Sequence, residues 1–312
     1  DTTASAKPGT PDLAVASDTG SSNSDDITTD TTPTVTGSGQ TSGDTITLTS
    51  DVDGSVGTAT VAGDGTWSIT ASALTAGAQS LTVTATDTAG NVSTASDALA
   101  ITIDTTASAK PGTPDLAVAS DTGSSNSDDI TTDTTPTVTG SGQTSGDTIT
   151  LTSDVDGSVG TATVAGDGTW SITASALTAG AQSLTVTATD TAGNVSTASD
   201  ALAITIDTTA PTVSSFTSTT VNGSYNAGDE INITATTSEA ITSGNTITVT
   251  LDTDDTVLLT AAADGTTLVG TYTVGAGDTS SDLTVSSFTI GTVADAAGNA
   301  MTSTTVPSTP NN

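Results

Sequence analysis

Residues 1–103, running from Asp1-Thr2-Thr3-Ala4 to Ile101-Thr102-Ile103, recur without a single change as residues 104–206. A segment that can be copied whole must be a folding unit with its own core, so the repeat sets the unit at about 100 residues. Residues 207–312 form a third unit of similar size. It opens on the same Asp207-Thr208-Thr209-Ala210 and carries the same Asp-x-x-Gly-Asn signature near its end. Three domains are expected, at 1–103, 104–206 and 207–312. Each is long enough for one modest core and short of what a large buried cleft needs.

Inside the repeat the apolar residues alternate with Thr and Ser, the period of half-buried strands, and no stretch has a helical period. Seven strands are predicted, around Leu13-Ala14-Val15, Pro33–Gly37, Thr45–Thr49, Gly57–Val61, Thr66–Ile69, Leu81–Ala85 and Leu99–Ile103. Gly63-Asp64-Gly65 has the residues of a tight hairpin, which puts Trp67 and Ile69 on one inward face as a core anchor. Seven short strands in about 100 residues is the pattern of an immunoglobulin-like β-sandwich, with an up-and-down barrel as the alternative. The third unit reads the same way, with strands expected near 213–216, 230–234, 246–251, 267–274 and 283–290. The whole is then an all-β rod of three tandem sandwiches. Its aromatics are only Trp67, Trp170, Phe216, Phe288, Tyr225 and Tyr272, so the cores must be built mainly from Val, Ile, Leu and Ala.

Thirty-five acidic residues face two cations, Lys7 and Lys110, for a net charge of −33 shared evenly by the three units. Such a surface has nothing with which to neutralise phosphates, which excludes nucleic acid, and an anionic membrane would repel it. What it attracts is cations. No apolar run is long enough for a membrane span, and there is no Cys from which to build a disulfide. With neither His nor Cys, nucleophilic and acid–base catalysis have almost no candidates, and no enzyme is expected.

Two constellations have the chemistry of a hard-cation site. The segment from Ser17 to Asp30 is too long for an ordinary connection. It carries Asp18, Asn23, Asp25, Asp26 and Asp30, repeated as Asp121, Asn126, Asp128, Asp129 and Asp133. Calcium takes six to eight oxygens from carboxylates, amides and carbonyls, and such a loop supplies them. The other is the turn before the last strand, Asp87 with Asn91, repeated as Asp190 with Asn194 and echoed by Asp295 with Asn299; side-chain capping of the turn explains it equally well. In an immunoglobulin-like strand order that turn lies at the leading end of a domain and the acidic loop at its trailing end. Asp18, Asp25, Asp26, linker Asp104, Asp190 and Asn194 are then expected at the first junction. Asp121, Asp128, Asp129, Asp207, Asp295 and Asn299 are expected at the second. A divalent ion there neutralises mutual repulsion and fixes the interdomain angle. Asp51-Val52-Asp53-Gly54 resembles the start of an EF-hand loop but has no Glu at the twelfth position, and reads as a hairpin turn, as does the run around Asp252, Asp254 and Asp255.

These segments resemble the tandem bacterial Ig-like domains of giant repetitive surface adhesins, the RTX, type I-secreted proteins of biofilms. The likeness rests on Pro11–Gly20, on Asp25-Asp26-Ile27-Thr28 followed by Thr32–Gly37, on Gly63–Ser68 and on Ala85–Asn91. In the third unit it rests, less specifically, on Tyr225–Ile231 and Asp295–Asn299. The resemblance implies an extracellular, cell-surface extender that binds Ca²⁺ in and between domains and holds a distal ligand-binding module away from the cell. Its partners are then calcium ions and the neighbouring domains of its own chain. From the charge balance and the lack of a long apolar run, no nucleic acid and no direct membrane insertion are expected, and the chain is expected to be a monomer. Glycine-rich calcium nonapeptides, an anchor and a recognisable binding module are missing from these residues, so attachment and target recognition are expected elsewhere. The rival reading places a carbohydrate- or protein-binding site in the third unit and requires Tyr225 and Tyr272 to be exposed together; a carboxylate-pair hydrolase in that unit is more remote.

Overall fold

The computed structural model describes residues 2–308, and among them every regular element is a strand. The first unit holds β1 (Asp12–Leu13), β2 (Ile27–Thr28), β3 (Thr34–Gly37), β4 (Thr45–Ser50), β5 (Gly54–Thr60), β6 (Trp67–Thr70), β7 (Gly77–Thr86) and β8 (Leu99–Ile103). The second unit repeats them, from β9 (Asp115–Leu116) to β16 (Leu202–Ile206). One layer is β1-β3-β6 and the other β2-β8-β7-β4-β5. All pairs are antiparallel except β2 with β8, where Ile27 and Thr28 run alongside Thr102 and Ile103. This is an immunoglobulin-like sandwich.

Strict alternation builds its core. Along β4, Ile46 and Leu48 are buried while Thr45, Thr47 and Thr49 point away from the core, and Leu81, Val83 and Ala85 do the same along β7. Trp67 and Ile69 face inward together, as the sequence predicts. Gly37 sits opposite Trp67, and a Cβ on it would fall 2.3 Å from Cζ2 of the indole. The bare glycine is what lets the ring close over β3.

The strands depart from expectation in three places. There are eight per repeat, because β2 is a two-residue strand inside the polar loop, too short to show a period. The first strand stops at Leu13 and leaves Val15 exposed. The Gly63–Gly65 turn does not join paired strands: β5 pairs with β4 and β6 with β3, so the chain crosses between layers there. Asp64 holds that crossing by accepting from the Thr66 amide at 3.1 Å and its hydroxyl at 2.7 Å.

In the third unit β17 (Val213–Thr217), β18 (Glu230–Ile241), β19 (Thr246–Leu251), β20 (Thr256–Thr260), β21 (Gly265–Thr273) and β22 (Val285–Thr292) follow in the order β17-β18-β21-β20-β19-β22. Six strands stand where five are expected, the extra one being β20. β20 and β21 share a single pair, Thr260 with Val269, so the sheet divides into two three-stranded halves. Their core includes Phe216 and Phe288, edge to face with centroids 5.7 Å apart.

Each unit keeps a separate apolar cluster. The chain exposes 14448 Å². A single compact globule of its mass would expose about 11,700 Å², and three free globules of a third that mass about 15,700 Å². The value lies nearer the second, as for domains in series touching over small joints.

Candidate functional site at the interdomain joints

The loop from Ser17 to Asp26 is drawn out by β2, which clips its far end to β8. Its near end therefore projects from the trailing end of the unit, and its tip meets the next unit. The Ser21 amide donates to the Thr191 carbonyl at 3.0 Å, and the Thr19 hydroxyl donates to the Ala192 carbonyl at 2.9 Å. Between them Gly20 stands at φ 99°, so close that a Cβ would lie 2.0 Å from the Thr191 oxygen. The second junction repeats the contact. Ser124 donates its amide to Ala296 O at 2.9 Å, Thr122 donates its hydroxyl to Ala297 O at 3.3 Å, and Gly123 takes the place of Gly20. Ala192 is 0 % and Ala297 1 % exposed.

The receiving turn is held by its own Asp and Asn. Asp190 accepts from the Gly193 and Asn194 amides at 2.8 and 2.9 Å and from Asn194 Nδ2 at 3.0 Å. Asn194 Nδ2 also reaches the carbonyl of linker Asp104 at 3.0 Å. Asp295 and Asn299 make the same bonds, with Asn299 Nδ2 on the Asp207 carbonyl at 2.9 Å. In the first unit Asp87 has the same bonding from Asn91, whose side-chain donation is the main reason its carboxyl is held below the ordinary value. These residues cap turns, and their Asn side chains tie the linker to the joint.

The acids of the loop have several fates. Asp30 and Asp133 are spent locally: Asp30 accepts from the Ser17 hydroxyl at 2.9 Å and the Thr32 amide at 2.8 Å, and Asp133 repeats this with Ser120 and Thr135. Asp25 and Asp128 accept from the Ile27 and Ile130 amides at 3.2 Å, and Asn23 and Asn126 lie exposed. Asp18 is different. It is 6 % exposed; Oδ2 accepts from the Asp26 amide at 3.4 Å, while the buried Oδ1 meets no partner among the described residues. Asp121 is placed identically against Asp129. Asp26, at φ 59°, has its carboxyl pushed up by burial first and then by Asp18, Asp12 and Asp25, all acids of its own unit.

At the second joint three carboxylates meet. Asp207 of the linker, Asp295 of the turn and Glu239 bring one oxygen each within 4.8 Å of one another. Sequence reasoning missed Glu239. A bulge between Thr236 and Ile241 turns it out of the β18 ladder, and bulges leave no periodic signal. Burial, then Asp207 and Asp295, push its carboxyl above the ordinary range, and its buried Oε1 has no partner among the described residues. The expected gathering is thus divided: Asp121, Asp128 and Asp129 do not belong to this cluster. Among the described residues the first joint has Asp104 and Asp190 but no third acid gathered with them. Where the third unit reads Thr237-Ser238-Glu239-Ala240-Ile241 before Ser243-Gly244, the repeat reads Thr139-Gly140-Ser141-Gly142-Gln143 before Ser145-Gly146.

The family profile described as "Bacterial Ig-like domain" matches residues 4–105 and again 107–208, about two thirds of the chain. The chain belongs to the bacterial Ig-like domain family. In this chain, two such domains and a third sandwich of different strand order are linked by one repeated joint. Among solved structures, a "Biofilm associated protein - BSP domain" is 27% identical over 64% of this chain and 30% of its own, with a TM-score of 0.23. Dimeric latent PorU from Porphyromonas gingivalis is 11% identical over 86% of this chain and 31% of its own, with a TM-score of 0.20. At these TM-scores the likenesses carry no weight for fold or function, and the chain spans under a third of either structure's length. No curated protein is matched.

Tyr272 is 4 % exposed, and its hydroxyl donates to Asp278 Oδ2 at 2.5 Å. It cannot form an exposed platform with Tyr225, so the rival binding-site reading loses its requirement.

Proposed function

We propose that this bacterial Ig-like chain is a non-catalytic extender of a type I-secreted, RTX-class cell-surface adhesin. Calcium stiffens it, and it projects a distal ligand-binding module for adhesion and biofilm formation. The observation that carries this reading is the joint itself: each loop docks on backbone carbonyls of the next domain, so an identical unit can be added without redesign. Copying such a unit adds length and repeats surface already present.

Three features support calcium. Among the described residues Asp18 Oδ1 and Asp121 Oδ1 are buried oxygens without partners, and Glu239 Oε1 is a third, facing two further carboxylates. An unpaired charged oxygen at such depth costs several kcal/mol unless a cation or a proton meets it. All donors on offer are hard oxygens, which suits Ca²⁺ and excludes metals that prefer sulfur or imidazole. The residues that would hold an ion are Asp207, Glu239 and Asp295 at the second joint, and Asp18 with Asp26 and Asp121 with Asp129 in the loops.

Calorimetric titration of calcium into chelator-stripped protein tests this. Saturable binding that weakens in the Glu239→Gln and Asp121→Asn variants is expected. Absence of heat at millimolar calcium removes the metal from the reading and leaves an acidic spacer.

A further inference from the structure

The receiving half of the joint occurs a third time. Thr88-Ala89-Gly90 of the first unit is identical in sequence to Thr191-Ala192-Gly193 and sits in the same turn between the last two strands of its sandwich. Yet Ala89 is exposed where Ala192 is fully buried. Because the two units share every residue, the difference comes from what stands in front of the turn. Ala192 lies under the Thr19-Gly20-Ser21 tip, and none of the described residues covers Ala89.

We infer that Thr88-Ala89-Gly90 is a docking surface for the trailing loop of another bacterial Ig-like unit placed ahead of this one in a single chain. The contact chemistry says what fits. Both hydrogen bonds are accepted by backbone carbonyls, so Thr191 and Ala296 serve equally at the first position. The second position must be small, since Ala192 and Ala297 are sealed beneath the tip. The third is a glycine at positive φ, Gly193 at 102° and Gly298 at 96°, and Gly90 at 90° already has that shape. The donor tip needs a hydroxyl, a glycine and a free amide in succession, as in Thr19-Gly20-Ser21 and Thr122-Gly123-Ser124. A second copy of this chain cannot supply one, because both of its tips are engaged in their own joints. The third unit carries a receiving turn, but its Ser218–Asp229 connection has no Thr-Gly-Ser tip. The device is therefore directional.

The test fuses a further copy of residues 1–103 ahead of the full chain through the natural Ile103-Asp104 sequence. The chain has no cysteine, so two introduced ones take spin labels uniquely. Labels replace the exposed Thr58 in the added copy and Thr58 in the original first unit, and a reference protein carries them at Thr58 and Thr161. The expected result is one narrow distance distribution with the mean and width of the reference pair. It should broaden when the tip glycine of the added copy becomes alanine, or when Ala89→Leu blocks the turn. A broad distribution that neither variant changes overturns the inference, as does self-association of the unfused chain through this turn. The result is read in calcium and in EGTA, so failure of the metal reading is separable: docking that persists without calcium leaves this inference standing.

Discussion

Replacing Gly20 with alanine should open the first joint while leaving both flanking sandwiches folded. The new methyl would sit 2.0 Å from the Thr191 oxygen and 2.6 Å from the Ala192 carbonyl carbon, both backbone atoms with no side-chain freedom to yield. The tip must withdraw, and with it go the Ser21 amide bond to Thr191 and the Thr19 hydroxyl bond to Ala192. At about 1 kcal/mol net for each hydrogen bond, the docked state loses about 2 kcal/mol, roughly a thirty-fold shift toward the undocked arrangement. Alanine at φ 99° adds strain of about 1–2 kcal/mol within the loop itself, which Gly90→Ala at φ 90° in open space measures separately. The assay uses the identity of the repeats. With the two units labelled one at a time, the amide resonance of Ala192 differs from that of Ala89 in the native chain because only Ala192 is covered. In Gly20→Ala it should move onto the Ala89 position. If it stays where it was while the variant remains folded, the docking of the tip on the Thr191 and Ala192 carbonyls is refuted.

Other consequences can be measured alongside. Glu239→Gln should weaken calcium binding at the second joint on the order of tenfold, since one of three converging carboxylates is lost; calorimetry reads it directly. In chelator the same group sets a pH dependence. Its carboxyl is raised in the folded state by burial and by Asp207 and Asp295, so the native chain holds that proton more tightly than the unfolded one. Stability should therefore rise as pH falls through the raised value and stop rising below the ordinary glutamate value. Urea unfolding followed from about pH 7 to about pH 4 should show that slope in the native chain and a shallower one in Glu239→Gln, where only the raised carboxyls of Asp26 and Asp129 remain to contribute it. Trp170→Ala should cost about 3–5 kcal/mol and shift only the second unit's melting, because the three apolar clusters share no residues.

Much of this protein was legible because its strands alternate cleanly and its unit is copied. Thr45–Ser50, Trp67 with Ile69, and Leu81–Ala85 fall where a period of two puts them, and the all-β sandwich follows. β2 was hidden because two residues carry no period, and its pairing with β8 is what divides the long acidic loop into a clipped end and a free tip. The docking tip was unreadable for a related reason: Thr19-Gly20-Ser21 works through amides, a hydroxyl and the absence of a Cβ, none of which separates it from an ordinary polar turn. Counting oxygen donors treats the loop acids as one set, and the structure separates them by their hydrogen bonds. Asp30 and Asp133 are consumed by nearby amides and hydroxyls, whereas Asp18 and Asp121 keep an oxygen unspent. Glu239 required the bulge in β18 to reach Asp207 and Asp295, and that irregularity has no signature in the sequence.

Small-angle scattering of the full chain in calcium and then in EGTA reaches the central claim most directly. If cations among Asp207, Glu239 and Asp295 hold neighbouring sandwiches in line, the calcium form should give the profile of one rigid elongated particle. Chelation should then blur it into that of linked bodies sampling many angles, reversibly on adding calcium back. Superimposable profiles in the two conditions would contradict the account.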